Sequence, residues 1–196
     1  MGQWDADLDH IEDTTLMVMF ANGQPAAARV LTARLLPRVL GHAARVLGNR
    51  SDAEDVAQEA MLRLWKAAAN WTIDGGARPS TWLYRVTANL CLDRLRRGGR
   101  AVGLDTIAEP EDNTPSVEAQ MIQSDRMTAL DHALAQLPER QRQAVVLRHI
   151  EGLANPEIAD VLEISVDAVE SLTARARRNL AKILDGQQEA LGYGTE

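Results

Sequence analysis

Apolar residues recur along most of this chain at intervals of three and four, the spacing of one face of an α-helix. The first run begins near Asp13 with Leu16, Met17, Met19 and Phe20 and stops at Asn22-Gly23-Gln24-Pro25; the dozen residues before it read as loosely attached. A longer run from Ala26 to Leu47 aligns Val30, Leu31, Leu35, Val39, Ala43 and Val46, with Pro37 a candidate kink and Gly48-Asn49 a stop. Ser51-Asp52-Ala53-Glu54 has the form of a capping box opening a third helix. Its stripe is Val56, Ala57, Ala60, Met61, Leu64, Trp65 and Ala68, while Asp52, Asp55, Glu59 and Arg63 fall on the opposite face. The Gly-rich stretch from Asn70 to Pro79 breaks the period, and Ser80 is placed to cap a fourth helix with Leu83, Val86 and Leu90 inward.

Between residues 101 and 117 periodicity vanishes among prolines and acids. That segment reads as a flexible acidic linker between two small helical domains, 1–100 and 118–186, with a frayed tail at 187–196. The second half resumes with Met121, Ile122, Met127, Leu130 and Leu134 on a helix from Glu118 to Gln136. Pro138 opens another helix that runs to Ile150 and is closed by Gly152. The stretch Asn155–Ala174 then fits a helix-turn-helix: Ile158, Leu162, Ile164, Val169 and Leu172 meet where the helices cross, and the small Ala159 sits at their closest approach. Asn155 is the expected N-cap with Pro156 at the first helical position, and Ser165 can cap the second helix. The last helix should reach about Leu184. The fold class expected is all-α, with a C-terminal helix-turn-helix domain.

Composition agrees: apolar residues make up 45% of the 196, charged residues 25% and aromatics only 4%. The net charge of −7 first argues against nucleic acid, but its distribution reverses that. Residues 1–22 carry five acids and no Lys or Arg, and residues 101–125 six acids and again no base. Residues 23–100 hold thirteen bases against six acids, and residues 126–196 eight against eleven. Arg78, Arg85, Arg94, Arg96, Arg97 and Arg100, opposed only by Asp93, form a dense basic patch beside Trp71, Trp82 and Tyr84. Such a patch suits tracking phosphates and stacking bases, although arginines near a helix C-terminus also offset its dipole. From the residues alone, the acidic row at Asp52, Asp55 and Glu59 fits either a solvated surface or a dock for a basic partner.

Candidate chemistry is sparse. His10, His42, His132 and His149 are scattered with no metal-site spacing, and the single cysteine, Cys91, lies mid-helix and reads as a small buried hydrophobe. No nucleophile elbow or dinucleotide fingerprint occurs, so no enzyme activity, cofactor or metal is expected. No apolar run is long enough to span a bilayer and the acidic start is unlike a signal peptide, which points to a cytoplasmic protein without membrane insertion. Asp167 and Glu170 in the first turns of the presumed recognition helix repel phosphates. A reader of DNA acting alone would be poorly served by them; one delivered to DNA by a larger machine would not.

Over about residues 13–184 these motifs, in this order and spacing, resemble the extracytoplasmic-function sigma factors of bacterial RNA polymerase. Asp52-Ala53-Glu54-Asp55-Val56-Ala57-Gln58-Glu59 is similar to the region 2.2 signature, which implies that Asp52, Asp55, Gln58 and Glu59 dock on core RNA polymerase. The stretch Ser80-Thr81-Trp82-Leu83-Tyr84-Arg85-Val86 through Asn89, Asp93, Arg96 and Arg97 resembles regions 2.3 and 2.4. It implies −10 promoter DNA contacts by Ser80, Thr81, Trp82, Arg85, Asn89, Asp93, Arg96 and Arg97, with Trp71 and Arg78 from a loop like the one that captures a flipped base. Leu137-Pro138-Glu139-Arg140-Gln141-Arg142 and Gly152 look like the approach to region 4.2. That resemblance implies −35 contacts by Ser165, Asp167, Ala168, Glu170, Ser171, Ala174, Arg175 and Arg178. It also implies an anti-sigma factor as partner, and a linker in the place of the third domain of larger relatives. The competing expectations are an autonomous dimeric helix-turn-helix regulator with a symmetric operator, and a helical adaptor that sequesters another regulator.

Overall fold

The computed structural model describes residues 8–72, 78–98 and 129–190. The expected linker at 101–117, Arg100, the start of the helix predicted from Glu118 and most of the glycine-rich loop lie outside them. Among the described residues all regular structure is helical: α1 (Asp13–Ala21), α2 (Pro25–Leu47), α3 (Arg50–Ala67) with a 3-10 turn at Ala68–Asn70, α4 (Pro79–Gly98), α5 (129–135), α6 (Glu139–His149), α7 (Asn155–Leu162) and α8 (Val166–Ala190).

The apolar stripes read from the sequence form the cores. Leu16 and Met17 of α1, Val30, Leu31 and Leu35 of α2, and Ala57, Ala60, Met61 and Leu64 of α3 bury together with Leu83 of α4. Pro25 starts α2 where its missing N–H costs nothing. The helix continues through Pro37, which supplies no N–H for the Ala33 carbonyl, and ends at Gly48 in the left-handed region at φ +69°. In the second half Leu134, Leu137, Val145, Val146 and Ala176 form their own cluster. Ile158, Ala159, Leu162 and Val169 are buried and Ile164 and Leu172 half-buried, as the helix-turn-helix pattern requires.

The ends of the helices correct several expectations. Residues 8–12 are not loosely attached: Leu8 and Ile11 pack on the core, and Arg34 of α2 donates to the carbonyls of Ile11 at 2.7 Å and Leu8 at 3.2 Å while pairing with Asp13 at 2.9 Å. The capping box at Ser51 is absent. Asn49 is the cap, accepting from the Asp52 N–H at 2.9 Å, and Glu54 instead pairs with Arg50 at 3.0 Å. Ser80 does not cap α4, since the helix already begins at Pro79 and the Trp82 N–H bonds to the Arg78 carbonyl. Asn155 is likewise one residue inside α7. Ala154 precedes the helix, and the Glu157 carboxylate reaches back to its N–H at 2.8 Å. Ser165 caps α8 as expected, accepting from the Ala168 N–H at 3.2 Å. The preceding helix ends at His149 rather than Ile150, and α8 runs to Ala190, past Leu184 and into the stretch read as tail. Glu163 adopts the left-handed conformation, φ 54° and ψ 48°, and is the one non-glycine residue at positive φ among those described.

The two halves pack against each other, which the sequence pattern does not predict. A single apolar cluster unites Tyr84 and Ala88 of α4 with Ala144 and Leu147 of α6, Leu153, and Ile158, Val161 and Leu162 of α7.

Candidate functional site

Three surfaces carry the expected residues. On α3, the apolar stripe fixes which residues face out: Asp55 and Gln58 are exposed, Asp52 and Glu59 partly so. The two aspartates are not free. Arg94 of α4 reaches across to both, at 2.7 Å to Asp52 and 2.6 Å to Asp55, and these carboxylates raise the guanidinium's pKa. Arg94 is therefore withdrawn from the basic patch to which the sequence assigned it, and it holds the acidic face in one geometry. Glu59 pairs with Arg63 one turn on, at 2.8 Å.

The second surface runs along α4. Arg85 is half-buried, while Asn89, Asp93, Arg96 and Arg97 are exposed in a stripe toward the C-terminal end; Thr81 and Ser80 are half-buried at its start, and Arg78 is exposed just before it. Trp71 and Trp82 meet edge to face, with centroids 5.9 Å apart at 85°, and both lean on the first core while keeping some exposure. That geometry offers a partly open indole beside cations, the chemistry that stacks a base over a phosphate-tracking surface. Tyr84 cannot share in it. Its ring is 2% exposed, its hydroxyl donates to Glu151, and burial followed by that carboxylate drives its pKa up.

The third surface is the outward face of the helix-turn-helix. Ser165, Asp167, Glu170, Ser171, Ala174, Arg175 and Arg178 are exposed and Ala168 half-buried. Asn155 donates to Glu170 at 3.4 Å, tying α7 to α8 beside the turn. The second and third surfaces meet only at their near ends. Thr81, Trp82 and Arg85 form one wall of a cleft of about 540 Å³ whose other wall is Ala159, Asp160, Glu163, Ile164 and Ser165.

Residues that sequence reasoning missed hold this arrangement. Gln143 of α6 donates to the Ala88 carbonyl at 3.2 Å, and Arg142 donates to the Val46 carbonyl at 2.6 Å, so one half caps the C-terminus of a helix in the other. Arg38 lies over the Tyr84 ring at 5.8 Å, and His42 meets that ring edge-on at 5.6 Å. His42 is completely buried with neither ring nitrogen bonded; burial, then Arg45, pushes its pKa down to about 4. Cys91 is fully buried with its thiol pushed up to about 12 by burial and by Glu139, as expected of a packing residue. One signal points at Gln143: an amide directly before the apolar run Ala144–Leu147. Nothing local marks the pairing of Tyr84 with Glu151.

No helix among the described residues is long and apolar enough to cross a membrane. Family models for Sigma-70 region 2 and Sigma-70 region 4 match residues 31–101 and 127–180. The ECF RNA polymerase sigma factor SigE of Mycolicibacterium smegmatis is 36% identical over 183 residues, covering 88% of this chain and 68% of that protein. The RNA polymerase sigma-H factor of Pseudomonas aeruginosa is 31% identical, over 88% of this chain and 94% of its own. Among solved structures, CnrH in complex with the cytosolic domain of CnrY is similar with a TM-score of 0.64 and 30% identity, over 89% of this chain and 97% of that one.

Proposed function

This chain belongs to the sigma-70 family as an RNA polymerase sigma factor of the extracytoplasmic-function type, and from that premise we propose how its surfaces divide the work. Residues 1–100 act as the region 2 domain, 118–186 as the region 4 domain and 101–117 as the connection. The face of Asp52, Asp55, Gln58 and Glu59 docks on core polymerase. The observation that carries this is the Arg94 clamp, because two aspartates held by one arginine present a fixed pattern of acceptors to a basic partner instead of a solvated row. In the −10 element, Arg96 and Arg97 track phosphate, and Arg85, Asn89, Asp93, Ser80 and Thr81 line the path. Trp82, Trp71 and Arg78 receive an unpaired base. The exposed face of α8 from Ser165 to Arg178 reads the −35 element, where Asp167 and Glu170 are suited to accept from cytosine amino groups.

In this reading the protein catalyses nothing and needs no cofactor; it supplies binding energy that positions polymerase and opens DNA in the cytoplasm. An anti-sigma factor completes the partner list, carried over from the family and consistent with CnrH having been solved with another protein's cytosolic domain. The autonomous-regulator reading finds no support in the eight bases against eleven acids of residues 126–196. Size-exclusion chromatography with purified core polymerase tests the assignment. The chain should co-elute with core, and the complex should retain promoter DNA that the chain alone does not hold at ~150 mM salt. Tight binding of a symmetric duplex by the free chain, without co-elution, would instead establish the autonomous regulator.

A further inference from the structure

Trp71 and Trp82, the two indoles assigned to an unpaired base, stand on different elements, and neither element fixes the pair by itself. Trp71 follows the 3-10 turn at Ala68–Asn70 and is tied to it by its N–H, which donates to the Ala68 carbonyl at 3.0 Å. So short a turn has poor hydrogen-bond geometry and keeps its place through what packs on it. What packs on it is α1. Ala68 is buried in the cluster that also buries Leu16 and Met17. Phe20 meets Trp65, which lies just before the turn, edge to face with centroids 5.0 Å apart. α1 also packs against α4, which carries Trp82. One helix thus supports the elements that carry both indoles.

That helix does not hold itself. Its nine residues fall short of the ~12–15 that an isolated helix needs, and no side chain caps it at Glu12. Its anchor is Arg34 of α2. One terminal nitrogen donates to the Ile11 carbonyl at 2.7 Å and to the Asp13 carboxylate at 2.9 Å, and the other donates to the carbonyls of Leu8, at 3.2 Å, and Asp9. The planar fork of a guanidinium suits acceptors grouped in this way; the single nitrogen of a lysine does not. Leu8 and Ile11, fixed by that fork, pack on the same cluster as Trp71 and Trp82. All of residues 8–24 precede the stretch that matches Sigma-70 region 2.

We propose that residues 8–21 are a brace for base capture: Arg34 fastens them to α2, and through Leu16, Met17 and Phe20 they set Trp71 and Trp82 edge to face at the −10 element. Arg34 is a positioning residue that acts through α1. The proposal rests on the assignment of those two indoles to an unpaired base. Trapping that base belongs to the opening of DNA and not to docking on core polymerase, so a loosened brace slows opening and spares docking.

Fluorine NMR of the full chain labelled with 5-fluorotryptophan reads the placement of the indoles, with the lines of Trp65, Trp71 and Trp82 assigned by single Trp→Phe variants. Arg34→Met should keep its helical circular dichroism and its co-elution with core, while the Trp71 and Trp82 lines shift. At a promoter located by run-off transcription, 2-aminopurine in the non-template −10 strand should report opening slowed roughly 10-fold with closed-complex affinity unchanged. Arg34→Lys, which keeps the charge and loses the fork, should recover only part of that rate. If Arg34→Met loses its helical signal, Leu8→Ala with Ile11→Ala loosens the same segment and should move the same two lines and slow the same step. Trp71 and Trp82 lines that stay in place in the folded variants would overturn the brace. So would shifted lines with opening at the wild-type rate, or a fall in core affinity as large as the fall in opening rate, which is lost stability alone. Opening that is unchanged by Trp71→Ala and by Trp82→Ala would remove the base-capture reading itself, with the fluorine lines still deciding whether Arg34 sets the pair.

Discussion

Replacing His42 with Leu should remove a pH dependence from the stability of the fold. His42 is completely buried, makes no hydrogen bond from either nitrogen, faces the Tyr84 ring and lies near the charge of Arg45, so the folded chain holds it neutral with a pKa near 4 against 6.5 for the free side chain. The direction follows from proton counting. Between these two values the unfolded chain binds a proton that the folded chain refuses, so stability is complete above pH 6.5 and drains away as pH falls toward 4. At 1.36 kcal/mol per unit the full loss is about 3 kcal/mol, of which about 2 kcal/mol falls between pH 7 and pH 5. Urea unfolding at those two pH values, on wild type and His42→Leu, isolates the term because every other titrating group is common to both. Wild type should lose about 2 kcal/mol more than the variant on acidification. A difference below about 0.5 kcal/mol would mean that His42 takes up its proton inside the fold, and the account of an unpartnered neutral imidazole would be wrong.

Asp55→Arg with Glu59→Arg should abolish co-elution with core polymerase and leave helical content unchanged, since the surface ion pairs that it removes are worth at most about 1 kcal/mol each; normal co-elution would refute the docking face. Arg96→Ala with Arg97→Ala should weaken open-complex formation and make log K against log salt shallower by about 1.8, the value for two lost phosphate contacts on duplex DNA, and an unchanged slope would return both arginines to offsetting the dipole of α4. Glu163→Val, which forces a β-branched residue to φ 54°, should cost at least about 1 kcal/mol in urea unfolding, whereas Glu163→Gly should be neutral or stabilising. Equal effects of the two would show that the turn carries no backbone strain.

What could be read from the sequence was local. Pro25 and Gly48 act on their own backbone, and the apolar stripes of α2, α3 and α7 need only helical spacing to be recognised. The errors arose where neighbours competed or partners were distant. Asn49 and Ser51 are both good caps two residues apart, and the extended backbone at Asn49, φ −134° and ψ 125°, decides between them. Ala154 precedes α7 without an acceptor side chain of its own, so the capping glutamate three residues on was the only sign of it. Arg94 reads as part of the basic patch because its partners, Asp52 and Asp55, lie 42 and 39 residues earlier. Tyr84 reads as one of the aromatics beside the basic patch because Glu151, 67 residues away, leaves no mark beside it. The acidic face, the α4 stripe and the helix-turn-helix are thus visible one at a time, while the packing of α4 against α6 and α7 is not.

This chain confers promoter selection on core polymerase. Run-off transcription on genomic DNA of its own host, with purified core polymerase and with or without the chain, tests it most directly. Discrete transcripts should appear that need the chain, start at fixed positions and vanish with Asp55→Arg, Glu59→Arg. Transcription by core that is the same with and without the chain would refute its role in promoter selection.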